Sequence, residues 1–332
     1  MMDFSLAESQ QVVVDLAAQV LTGADPWKEL ALAGLLDASQ LGVLDVAALL
    51  TEIGRHATPD SLQALATLMT GALPVARWGS ADLQRELLPA IAAGELILTA
   101  ALREPSDPAP VLPATTVTGA TVSGTKIGVP YAAEAHRILV PAPSGVVLVD
   151  PSADGVNLTR TPSSSGQPEY TLRLDQAPVE SVLGPAGCVQ DLYRLAVAGA
   201  CALTDGAVAG ALALTRDYVA SREQFGRPLA TFQAVSQQIA DVYIASRTLH
   251  LATLSACWQL SEGRDQGADL DVAGYWCAEQ APRAVRTCHH LHGGLGMDVT
   301  YPLHRFSSLV ADLVRFVGGA EFRLERLACS PN

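Results

Sequence analysis

Two short stretches hold most of the residues able to do chemistry. The first, Tyr218 to Gln233, reads Y-V-A-S-R-E-Q-F-G-R-P-L-A-T-F-Q and sets Arg222, Gln224, Phe225 and Gln233 around an F-G turn and a proline. The second, His290 to Tyr301, reads H-L-H-G-G-L-G-M-D-V-T-Y and carries His290 and the pair Gly293–Gly294. A guanidinium is a planar fork that can donate two parallel bonds to phosphate oxygens. Paired glycines let backbone come close to a bound group. Each stretch also has a plain structural reading: a surface ion pair for the arginine, a helix end for the glycines. Cys288, His289, His290 and His292 are of zinc-ligand type, but no second cluster completes a tetrahedron, so no metal is expected. His56, His136, His250 and His304 are isolated, and neither a G-x-S-x-G nor a P-loop occurs.

The elements that must position these residues follow from periodicity. Phe4, Leu6, Val12, Val13, Leu16, Ala17 and Val20 recur at helical spacing, and Asp45–Ile53, Ser61–Met69 and Ala81–Ala92 continue the pattern. Gly71-Ala-Leu-Pro74 reads as a break between helices. Near Ile97 the pattern changes to short Thr/Val/Leu-rich runs split by turn residues: Thr115–Thr118, Arg137–Val140, Val146–Val149 and Tyr170–Leu174. From Gly187 it is helical again, with long helices expected over Leu192–Arg222, Thr231–Leu260, Leu270–Leu291 and Leu303–Phe316. The organisation is therefore an α+β multidomain chain: residues 1–96 helical, 97–184 a β domain, 185–332 a helical bundle.

Composition narrows the partners. The chain has 332 residues, 49% of them apolar, and a net charge of −13 with only 21 Lys and Arg. Nucleic acid and anionic membranes both demand clustered cations, and no basic run occurs. Leu195–Leu214 is apolar and long enough to span a bilayer, yet it consists largely of small residues and holds Asp205. It reads as a buried bundle helix in which small residues allow close helix approach. The first 20 residues carry Asp3, Glu8 and Asp15 and no cation, unlike an export signal. A cytoplasmic protein with six reduced cysteines is expected.

Both chemical stretches resemble signatures of the acyl-CoA dehydrogenase family, and the α–β–α order matches that family's fold over the whole chain: a helical domain, a β-barrel-like domain and a four-helix bundle. The resemblance implies FAD laid across a subunit interface. Arg222 stands at the family's FAD-pyrophosphate arginine, with Gln224, Phe225 and Gln233 at cofactor-contacting positions. Gly293 and Gly294 stand at the glycine pair beside the dinucleotide, and His290 replaces a common glutamine. The flavin-ring half departs from the pattern. Glu104-Pro105 is kept, but Arg103-Glu-Pro-Ser-Asp-Pro-Ala-Pro110 lacks the G-S-D that should follow. In Gly124-Thr-Lys-Ile-Gly-Val-Pro130, Gly128 replaces the aromatic that lies on the flavin and Pro130 replaces the hydroxyl residue.

The base is missing as well. Gly318, in Phe316-Val-Gly-Gly-Ala320, occupies the usual glutamate position, and Tyr193 occupies the alternative one. Glu321, about one helical turn on, is the nearest displaced candidate. The pattern resembles the shorter, base-less subunit of the heteromeric α2β2 acyl-CoA dehydrogenases of actinobacterial steroid side-chain degradation. It implies a subunit that completes the FAD site of a partner, which carries the glutamate, the flavin ring and most of the acyl-CoA. A self-sufficient homo-oligomer using Glu321 and a non-enzymatic scaffold of the same fold remain the alternatives.

Overall fold

The computed structural model describes residues 6–264 and 268–329; Phe4, which opens the first periodic run, lies outside them. The N-terminal part is helical: α1 (Glu8–Val20), α2 (Pro26–Leu32), α3 (Val43–His56), α4 (Ser61–Ala64), α5 (Leu73–Trp78) and α6 (Ala81–Ala92). The break expected at Gly71–Pro74 is not there. Leu65–Ala72 forms a wide π-helical segment that joins α4 to α5 without interruption, and Leu73 N–H bonds back five residues to the Leu68 carbonyl. A proline in an α-helix clashes with the carbonyl four residues back, and the wider turn leaves room before Pro74. Gly71 is a packing residue, because a Cβ there would stand 2.6 Å from Leu98 Cβ.

Eight strands follow: β1 (Leu98–Ala100), β2 (Thr116–Thr118), β3 (Thr121–Pro130), β4 (Arg137–Ala142), β5 (Gly145–Val149), β6 (Val156–Thr161), β7 (Glu169–Pro178) and β8 (Ser181–Pro185). They form two four-stranded sheets, ordered β1-β4-β5-β8 and β2-β3-β7-β6, in which only the β1–β4 pairing is parallel. Val122, Val129, Leu172 and Leu174 of one sheet share a core with Ile138, Val140, Val147 and Val149 of the other. Inside this region Lys126 is fully buried, and its Nζ donates to Glu104 Oε1 at 2.9 Å and to the Pro141 carbonyl at 3.2 Å. Glu104 also accepts from Ala114 N (2.8 Å), Thr115 N (3.1 Å) and Thr115 Oγ1 (2.8 Å).

The last part is built from α7 (Gly187–Ser221), α8 (Gln233–Ser261), α9 (Ala268–His292), α10 (Leu303–Phe316) and α11 (Gly319–Cys329). The four long helices match the expected spans to within a few residues; α11 is an addition. The apolar stretch of α7 is a core helix, with 89% of its most apolar window buried. Its charge at Asp205 is met by His250 Nδ1 at 2.8 Å. Close approach through small residues is literal: added Cβ atoms at Gly54 of α3 and at Gly206 and Gly210 of α7 would overlap the carbonyls of Leu203, Thr51 and Arg55. No cysteine is in a disulfide among the described residues, and five of the six are buried.

Candidate cofactor cleft and the closed position at Gly318

α7 ends at Ser221, and Arg222 leaves the helix with extended backbone. A short hairpin follows, in which Gln224 pairs with Arg227. Phe225 and Gly226 make its turn with φ of +54° and +77°. Two positive φ values are what a two-residue hairpin turn requires, and a phenylalanine in that region is unusual enough to suggest a functional constraint. The loop is braced by Leu229 N–H on the Arg222 carbonyl (2.8 Å) and by the Arg227 guanidinium 4.1 Å over the Phe232 ring.

The facing wall is the end of α9. After His292 the chain tightens into a 3-10 turn over Gly293–Met297, opened by Gly293 at φ +57°. The two walls enclose a cleft of about 480 Å³ lined by Tyr218, Arg222, Gln224, His290, Gly293 and Gly294, among others. Residues about 70 positions apart in sequence are thus brought together. Arg222 and His290 are exposed, and an added Cβ at Gly293 or Gly294 would meet nothing within 4 Å, so the backbone there faces open space. Phe225, 93% exposed, and Gln233, at the start of α8, lie outside this lining. Tyr218 and His292 also line the cleft, although neither was given a cofactor role from the sequence. Tyr218 stands one helical turn before Arg222, a spacing that could have flagged it; His292, two residues after His290, offered no such signal.

The Cys288–His292 run holds no metal cluster among the described residues. His289 bonds the Gly296 carbonyl (2.8 Å) and Ser307 Oγ (3.0 Å). His292 bonds the Cys288 carbonyl (2.8 Å) and Tyr301 Oη (3.0 Å).

The β region offers a different picture at Gly128. That residue has φ +63°, and a Cβ added to it would lie 3.0 Å from Arg103 Nη1 and 3.5 Å from Glu169 Oε1. Glu169 is paired with Arg315, whose Nη2 lies 2.8 Å from Glu169 Oε2 and 2.9 Å from Asp312 Oδ1. Asp312 accepts in turn from Ser164 N (2.7 Å) and Ser165 N (2.8 Å). The space a side chain at position 128 would enter is held by charged groups. At Pro130 the carbonyl accepts from Thr99 Oγ1 (2.6 Å).

Gly318 is closed to a larger side chain. It has φ +91°, and a Cβ would stand 2.6 Å from Phe322 Cδ1 and 2.9 Å from Pro108 Cβ. The Pro-rich loop after Glu104 is held in this position partly by Gln190 Nε2 on the Val111 carbonyl (3.1 Å). Tyr193 is buried, and its hydroxyl donates to the Leu102 carbonyl at 2.8 Å. Burial, with Glu104 and Asp107 nearby, pushes its phenol well above its ordinary value, so it cannot act as a base near neutral pH. Glu321 is exposed in the first turn of α11.

Known proteins agree with this architecture. The family described as acyl-CoA dehydrogenase, C-terminal domain, matches residues 191–322. Acyl-CoA dehydrogenase FadE28 of Mycobacterium tuberculosis is 47% identical, over 98% of this chain and 98% of its own length. A solved structure described as the Tcur3481-Tcur3483 steroid ACAD G363A variant is 35% identical, with a TM-score of 0.85 over 96% of this chain and 94% of that one. A chain of the ChsE4-ChsE5 complex from Mycobacterium tuberculosis is 29% identical, with a TM-score of 0.90 over 100% of both chains. This chain belongs to the acyl-CoA dehydrogenase family.

Proposed function

We propose that this chain is the non-catalytic, FAD-completing subunit of a hetero-oligomeric acyl-CoA dehydrogenase acting on a bulky acyl-CoA, a steroid side-chain thioester. The observation that carries this reading is the contrast between the two half-sites. The Arg222–Gly294 cleft is open, whereas the base position at Gly318 is filled by Pro108 and Phe322. The similarity to a complex of two different proteins and to a steroid ACAD supports the hetero-oligomer and the substrate class. The division at residues 96 and 184 is part of the same reading, as is a cytoplasmic location.

FAD, when bound, accepts the hydride that leaves the acyl β-carbon. This chain's own part is to hold the diphosphate end. Arg222 can offer two parallel N–H donors to phosphate oxygens, Gln224 an amide and His290 a ring nitrogen. Gly293 and Gly294 leave their backbone uncovered. Exposed Phe225, Met297 and Val299 stand on the same two loops and would be covered by the partner, which supplies the ring pocket and the glutamate.

The test is co-expression with a family member that retains the glutamate. A yellow complex containing both chains is expected, whereas this chain alone should be colourless. A yellow, active homo-oligomer of this chain alone would overturn the reading. Replacing the partner's glutamate by glutamine should abolish flavin reduction by acyl-CoA; surviving turnover would point to Glu321.

Gly318→Glu should yield no activity in this chain. It should also destabilise the fold by about 2–6 kcal/mol, since a left-handed backbone position and an overfilled contact each cost roughly 1–3 kcal/mol. Chemical denaturation measures this, and a variant as stable as the parent would show that the Pro108 loop yields readily.

A further inference from the structure

We infer that His292, through its bond to Tyr301, is the positioning residue that holds the glycine turn in register with Arg222 for the dinucleotide. The inference rests on the proposed reading of the cleft. The His292 ring is buried and stacks on Tyr218 with centroids 4.4 Å apart and planes 17° apart. Tyr218 is on α7, one turn before Arg222; His292 is the last residue of α9, directly before Gly293. The stack therefore ties the two walls of the cleft at the point where both begin. The Tyr218 hydroxyl adds a long bond to the His292 carbonyl at 3.5 Å.

The hydrogen bonds fix the ring further. Nδ1 faces the Cys288 carbonyl, which can only accept, so Nδ1 carries the proton. In the neutral ring Nε2 is then the acceptor, and it receives the Tyr301 hydroxyl at 3.0 Å. Burial lowers the His292 pKa, which favours this neutral form. Tyr301 lies beyond the 3-10 turn, just before α10, so the His292–Tyr301 bond closes the loop that carries Gly293 and Gly294. The pieces form one chain of contact: Arg222's helix, Tyr218, His292, Tyr301, with the glycine turn clasped between the last two.

The test is FAD retention by the complex with the partner, read as flavin fluorescence released over time, with the thermal midpoint of the FAD-stripped complex as control. His292→Phe keeps an aromatic stack but loses both ring bonds, and it should speed FAD release about tenfold while leaving the stripped midpoint within a degree or two. Tyr301→Phe should speed release severalfold on its own and add nothing in the His292→Phe background. His292→Gln, whose amide can still accept the Tyr301 hydroxyl, should recover part of the loss.

Unchanged release in both single variants overturns the inference. So does loss of FAD that follows an equal fall in the stripped midpoint, which would mark a purely structural role. Additive effects in the double variant would also overturn it, since His292 would not then be the route by which Tyr301 acts. Failure of the underlying reading looks different: the unaltered complex would bind no FAD, or Arg222→Ala would leave FAD binding unchanged.

Discussion

Arg222→Ala is expected to remove FAD from the complex during purification while this chain stays folded. The side chain is exposed at the end of α7 and makes no hydrogen bond within the chain among the described residues, so the fold does not depend on it. A hydrogen bond to a charged group contributes roughly 1.5–3 kcal/mol, and the guanidinium can offer two to a diphosphate. Losing both weakens FAD binding by about two orders of magnitude or more. Flavin-to-protein stoichiometry after gel filtration, and titration of the stripped complex with FAD, measure the effect. Full occupancy in the variant would leave Arg222 as a surface charge and would take the central support from the cofactor cleft.

The largest effect on stability is expected at Lys126. Lys126→Ala leaves the Glu104 carboxylate buried with the Thr115 hydroxyl and two backbone N–H groups as its only donors among the described residues. Breaking a buried pair by removing one partner costs about 3–5 kcal/mol. The double variant Lys126→Met/Glu104→Gln removes both charges and keeps an acceptor for the backbone, so it should recover most of the loss. Urea unfolding of the single and double variants checks this, and a single variant within about 1 kcal/mol of the parent would show that water or rearrangement satisfies the carboxylate. Acid should act on the same pair. Burial alone would raise the Glu104 pKa, but Lys126, the Ala114 N–H and Thr115 outweigh it and hold it below the ordinary 4.5. Because the folded value is the lower one, this contribution is complete above about pH 4.5 and is lost as pH falls through the folded value. The Glu-Pro of the family pattern is thus kept here in a structural role.

The sequence revealed the parts of this molecule that local rules encode. Leu303–Phe316 is a helix because its apolar residues recur on one face, and both bounds were readable. Arg222 and Gly293–Gly294 could be assigned to one site from the family resemblance of the motifs around them, and they line one cleft. What escaped depends on distant neighbours. Gly71 and Pro74 look like breakers unless one knows that β1 lies against the first and that the turn before the second has widened. The end of the chain was read as helical, but α11 was not named as a separate helix because part of its inner face is charged. Arg323 is buried on it, bonding Asp271 Oδ1 at 2.7 Å and the Val317 carbonyl at 2.7 Å. An apolar-periodicity argument cannot see a helix held by an ion pair. The blocking of Gly318 by Pro108 joins residues 210 positions apart, and no spacing rule links them.

The glycine seam between α3 and α7 bears on how the assembly moves. With Gly54, Gly206 and Gly210 in backbone contact across it, neither helix can slide or tilt without driving a carbonyl into the other. α3 and α7 thus keep a fixed spacing, which couples the amino-terminal helices to the carboxy-terminal bundle. Sliding of α3 along α7 is therefore closed to this chain, whatever motion a partner in the proposed complex makes.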